Sequence, residues 1–108
     1  MPLTIKIDKK IITAYVSGEI DHHSAAALRN KIDTAVINLL PEVLYLDFSE
    51  ITFMDSSGIG LIMGRYKLMK AQGGKLRVIN SPPVIERMIK LAGISKLDIW
   101  EDEYEKIS

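Results

Sequence analysis

The chain has no cysteine. That absence excludes disulfide staples, thiol nucleophiles and cysteine-based zinc sites, and it fits a protein of the reducing cytoplasm. A surplus of charge is missing too. Fourteen Lys and Arg residues offset fourteen Asp and Glu residues, so no general field draws the chain to nucleic acid or to an anionic membrane surface. No apolar run approaches the roughly 18 residues that a membrane-spanning helix needs. The opening MPLTIKIDKK lacks the long apolar core and small-residue cleavage site of a secretory signal. A cytoplasmic, water-soluble protein is the expectation. Internal repeats, low-complexity stretches and linkers are also lacking. What is present, at 108 residues with 47% hydrophobic and 26% charged content, is one domain over 1–108, large enough to build a core unaided.

Periodicity gives an α/β order. LTIKI alternates apolar and polar side chains as a half-exposed strand does. DKK then turns the chain into IITAYVSG, a β-branched run predicted to pair antiparallel with the first strand. DHHSAAALRNKIDTAVINLL places Ala25, Leu28, Ile32, Ala35, Val36 and Leu39 at helical spacing, with Asp21 as N-cap and Pro41 beyond the end. VLYLDF (43–48) is a nearly continuous apolar run, as expected of a parallel strand buried on both faces. A second helix follows Asp55, with Ile59, Ile62, Met63, Tyr66 and Met69 on its apolar face and Gly73-Gly74 as its stop. KLRVIN is a further strand, and Pro82-Pro83 open a third helix that ends at Gly93. KLDIW reads as a last short strand, and EDEYEKIS as a polar, helix-compatible tail. The predicted fold class is therefore α/β, a mostly parallel sheet with an N-terminal antiparallel hairpin strand and helices from βα units.

In such sheets function gathers where parallel strands end. Two loops share that edge, GEIDHHS before the first helix and TFMDSSG before the second. The string Asp55-Ser56-Ser57-Gly58 admits several readings. Asp and Ser are preferred helix caps, but a cap uses only one of the three polar residues. A nucleophilic serine needs a base within reach, and only His22 and His23 offer imidazoles. The glycine-flanked serine of a hydrolase elbow is also missing. A phosphate ligand would gain from the helix dipole, yet no Gly-x-x-x-x-Gly-Lys-Ser/Thr string exists and the glycines of SSGIGLIMGRYK miss the dinucleotide spacing. The fourth reading makes a serine the substrate of another protein's kinase, since a hydroxyl at an exposed helix start is accessible and a phosphate there suits the dipole. His22 and His23 point about 100° apart on a helix and so do not converge on a metal as an i, i+4 pair would.

Taken in order, GEIDHH, FMDSSGIGLIMGRYK, the following Gly-Gly pair and SPPVIERMIKLAGI resemble the anti-sigma factor antagonists of the STAS domain family. DHH and GRYK point to the branch of that family that controls sporulation through sigma-F. The resemblance covers nearly the whole chain. It implies a partner switch in which the unphosphorylated protein binds an anti-sigma factor serine kinase, with its ATP or ADP, and frees the sigma factor. It also implies phosphorylation by that kinase on the serine after the motif aspartate, here Ser56, and reversal by a serine phosphatase. The expected partner-binding set is Asp21, His22, His23, Asp55, Ser56, Ser57 and Gly58. On this reading the chain is no enzyme, carries no cofactor or metal of its own, and contacts neither nucleic acid nor membrane. Related switches serve general stress control, so the stress-type role stands beside the sporulation role. A small-nucleotide-binding or hydrolytic domain is the reading from another class.

Overall fold

The computed structural model describes residues 2–101, and its elements follow the alternation in the sequence. Strand β1 (Leu3–Asp8) turns through Lys9 into β2 (Ile11–Ile20), followed by helix α1 (His22–Leu39), β3 (Val43–Met54), α2 (Ser56–Ala71), β4 (Lys75–Ile79) and α3 (Pro83–Leu91). A single 3-10 turn, Ile94–Lys96, comes last. The sheet order is β1-β2-β3-β4, with β1 antiparallel to β2 and the other pairs parallel. Two successive right-handed crossovers in one direction set their helices on the same side of a sheet, and α1 and α2 do pack against each other and the strands.

Burial follows the pleat. Ile12, Ala14 and Val16 of β2, Leu44, Leu46 and Phe48 of β3, and Leu76 and Val78 of β4 point into the helix layer and are buried. On the opposite side Ile11 and Tyr15 are exposed, while Val43 and Tyr45 are only half-buried. The expected two-sided burial of β3 is thus confined to Asp47, whose carboxylate accepts from Ser49 N–H (2.9 Å) and Asn80 Nδ2 (3.0 Å). Leu39 also departs from expectation. It is exposed at the last turn of α1, where Leu40 leaves the helix in left-handed geometry (φ 47°).

Three further differences matter. β3 extends to Met54, beyond the Phe48 expected from the apolar run, and uses two more residues than β2 over the same stretch. Tyr15 pairs with Asp47, yet Ile20 pairs with Met54. Each extra residue is a bulge that bends the strand, and Gly18 (φ +80°) sits at one of these register shifts. The α2 face is wider than expected, because α2 touches both the sheet and α1: Leu61 and Arg65 are buried beside Ile62 and Met69. Finally, KLDIW forms no strand. It makes one bridge, Val78 with Trp100, in which Val78 N–H donates to Ile99 O. Asp98 O is taken instead by the buried Arg77 guanidinium (3.0 Å), and Ile94 and Ile99 bury their side chains in the core. The tail from 102 onward lies outside the described residues.

Candidate functional site

The register of β2 and β3 brings the two predicted loops together. Ile20 and Met54 are lateral partners at the carboxyl ends of their strands, and Asp55 N–H donates to Ile20 O at 3.2 Å. β4 ends level with Asp47, so the β2–β3 pair projects past it. Asp21 and Asp55 occupy equivalent places, each the N-cap of the helix that leaves its strand.

The two caps are built differently. Asp21 Oδ1 accepts from His23 N–H and Ser24 N–H, both at 2.9 Å, while Ser24 Oγ accepts from Asp21 N–H at 3.0 Å. This reciprocal box satisfies orphan donors of the first turn. Ser24 Oγ also donates to Glu19 O at 3.0 Å, which ties the helix start back to β2. The Ser24 backbone N–H foremost, with Ser24 Oγ and His23 adding to it, holds the Asp21 carboxyl below its ordinary value, against a smaller opposing effect of desolvation. Asp55 makes one cap bond, Oδ1 from Ser57 N–H at 2.7 Å.

That arrangement distinguishes the two serines. Ser57 is half-buried and faces α1, with its N–H committed to Asp55. Ser56 is exposed at the first position of α2, and its hydroxyl makes no hydrogen bond to any described residue. Gly58 is buried because the Cγ and Sδ of Met54 occupy the space of a Cβ there. The strand end therefore packs under the first turn of α2 and fixes how the turn presents Ser56. His22 and His23 are exposed at the start of α1, their rings edge-on with centroids 6.0 Å apart. All seven expected site residues thus fall on one edge of the sheet. Neither His22 nor His23 makes a hydrogen bond to Ser56. Among the described residues no three His, Asp or Glu side chains are grouped to hold a metal ion. No described helix is long and apolar enough to cross a membrane.

Sequence reasoning missed three features of this edge. Ser24 closes the capping box, a role signalled by a hydroxyl three residues after Asp21. Phe53 is 51% exposed beside Asp55, which only the β3 bulges reveal. Third, a groove of about 410 Å³ between α1 and α2 starts at His22 and Ser57 and is lined by Gly60 and Gly64. Its signal was a pair of glycines four residues apart inside a helix.

Comparison with known proteins agrees with this geometry. The STAS domain profile matches residues 3–106. The anti-sigma F factor antagonist of Paenibacillus polymyxa is 32% identical over 111 residues, spanning 100% of this chain and 95% of the relative. The anti-sigma-B factor antagonist of Bacillus subtilis (strain 168) is 34% identical over 95 residues, or 86% of this chain and 81% of that one. Among solved structures, the anti-sigma factor antagonist SpoIIAA in its unphosphorylated form superimposes with a TM-score of 0.81 at 27% identity, covering 97% of this chain and 92% of that one. The phosphorylated form of the Bacillus cell fate determinant SpoIIAA gives 0.73 at the same identity, covering 97% and 96%. The chain belongs to the STAS domain family, and its relatives there are anti-sigma factor antagonists.

Proposed function

We propose that this chain is the antagonist in a partner switch. Unphosphorylated, it binds an anti-sigma factor serine kinase through Asp21, His22, His23 and Asp55 to Gly58, and the sigma factor is released. The kinase, using its own ATP, phosphorylates Ser56 and so ends the contact; a serine phosphatase restores the active form. The observation that carries this reading is the exposed, uncommitted Ser56 hydroxyl at a helix start, on the edge where both loops meet.

Electrostatics supports a block rather than a refolding. Residues 17–28 and 48–64 contain no Lys or Arg but include Glu19, Asp21, Glu50 and Asp55. A phosphate on Ser56 therefore finds no Lys or Arg in either loop of its own edge to fold onto. It adds about −1.5 to −2 charges to an already acidic surface. A partner docked there would have to desolvate that group beside Asp55, and each 1.4 kcal/mol or so of such cost weakens binding about tenfold. The helix start itself tolerates the phosphate, because the dipole favours an anion there.

Relatives of both the sigma-F and the sigma-B type match at similar identity, so a stress-type switch is the second reading. Binding assays against each class of kinase separate the two. The switch itself is tested by incubating the chain with magnesium and ATP, with and without the kinase, and mapping the phosphosite. Phosphate on Ser56 only when kinase is present supports it, and Ser56→Ala should fold, bind and take up none. Phosphate uptake undiminished in Ser56→Ala would move the acceptor elsewhere, and turnover of ATP by the chain alone would make it an enzyme.

A further inference from the structure

The groove between α1 and α2 has a small-residue lining, Ala25 and Ala26 facing Gly60 and Gly64. Neither glycine is required by this fold. A Cβ on Gly60 or Gly64 meets nothing within 4 Å, and neither residue has the positive φ that favours glycine. A mid-helix glycine nonetheless costs about 0.5–1 kcal/mol relative to alanine. Gly58, two residues before Gly60, is explained by Met54; these two are not.

The far end of the groove is cationic. Arg65 lines it with a side chain only 7% exposed, held by Asp33 at 2.8 Å from Nε to Oδ1. That pair is close without hydrogen-bond alignment, and the Arg65 guanidinium donates no hydrogen bond to any described residue. Asp33 thus engages Nε alone, and the other N–H donors of the fork are left for an acceptor in the groove. Arg29, also on the groove, is exposed with no acidic partner among the described residues, and its charge acts on Arg65. Helices α1 and α2 together carry Arg29, Lys31, Arg65, Lys67 and Lys70 against Asp33 alone.

We infer that this groove seats an acidic segment of the anti-sigma kinase, whose carboxylate side chain is received by Arg29 and Arg65. The inference rests on the partner switch proposed above and extends its contact surface. Two arguments fix the occupant. The groove is continuous with the site edge, since His22 and Ser57 belong to both. Its charge is opposite to that edge, so the partner that fits both is basic where it meets Asp21 and Asp55 and acidic farther along α2. Ser57 and Arg65 are eight residues apart, about 12 Å along a helix, which sets the separation of the two patches on the partner. The missing Cβ atoms of Gly60 and Gly64 let its backbone or side chains approach α2 closely between them.

The test measures binding of the anti-sigma kinase encoded in the same genome, with magnesium and ADP, to the wild-type chain, Arg29→Glu and Gly64→Ala. Thermal unfolding is followed in parallel. Arg29→Glu should bind at least tenfold more weakly, and mutation of the facing partner acid to lysine should restore it. Gly64→Ala should unfold at a higher temperature than wild type yet bind several-fold more weakly, a split that a purely structural role would not produce. Wild-type affinity in both variants, with Ser56 still phosphorylated, overturns the groove contact and leaves the switch intact. A wild-type chain that neither binds the kinase nor accepts phosphate overturns the switch and the groove contact with it. Titration with inorganic phosphate is the control: saturable NMR shifts at Gly60 and Gly64 at millimolar phosphate would make the groove a small-anion site and overturn its assignment to a protein partner.

Discussion

Alanine at Gly58 and alanine at Gly64 should move stability in opposite directions, although both lie in α2. At Gly58 the new methyl runs into the Cγ and Sδ of Met54. Met54 is itself only 1% exposed, so its thioether has no open space to retreat into. Overpacking of this kind costs about 1–3 kcal/mol, and because the clash reaches Cγ, near the root of the side chain, methionine's flexibility relieves only part of it and leaves about 2 kcal/mol. Alanine's better helix propensity returns at most about 1 kcal/mol. A net loss of about 1 kcal/mol remains, or roughly 4–8 °C in Tm for a domain of this size. At Gly64 the methyl meets nothing, so only the propensity gain survives, about 0.5–1 kcal/mol. Urea unfolding followed by circular dichroism measures both, with an unchanged m-value confirming that only stability has moved. A cycle with Met54→Ala should turn the Gly58→Ala penalty into a small gain, a coupling of about 2 kcal/mol. Equal stability of Gly58→Ala and Gly64→Ala, with no coupling to Met54, would mean that the packing of Met54 under α2 does not hold the Asp55 turn.

Asp33→Asn should destabilise the fold by about 1–2 kcal/mol, less than for a fully buried pair because Asp33 is partly solvated, while a paired Arg65→Met, Asp33→Leu replacement should recover most of it in denaturant titrations. The depressed Asp21 carboxyl gives a signed pH dependence. Its contribution is present above the unfolded value of 3.8 and is lost as pH falls through the lower folded value. The stability gap between wild type and Asp21→Asn should therefore close on acidification below that value, and a gap that widens there would refute the cap electrostatics. Ser56→Asp should bind the kinase poorly while its backbone NMR shifts change only around 54–60 and 21–24; shifts spread through α2 and the sheet would require a conformational switch instead of a block.

How much of this was legible depended on whether a residue's own chemistry decided its place. Asp21 was readable as a cap because short acids at helix starts satisfy the same donors in any fold. The pairing of the two loops followed from strand–helix alternation, since adjacent parallel strands must end on one edge. The end of β3 was not readable. After Phe48 the buried positions are Ile51 and Met54, three apart where a regular strand has two, and Ser49-Glu50 look like a loop until β2 is seen to pair with Glu50 and Ile51. Arg65 and Arg77 were hidden for another reason. Charged side chains are seldom fully buried, and nothing local announces that Asp33 or the Asp98 carbonyl will wait for them across tens of residues. The same tertiary contact stops KLDIW from becoming a strand. The groove between α1 and α2 was half legible, its glycines visible in the sequence and its arginines assembled only by packing.

The most direct test of the switch compares the affinity of the anti-sigma kinase, with magnesium and ADP, for the unphosphorylated chain and for the chain fully phosphorylated on Ser56. The expected result is tight binding of the first and at least tenfold weaker binding of the second, with both forms giving the same unfolding cooperativity. Equal affinity for the two forms would contradict the proposal that a phosphate on Ser56 ends the contact.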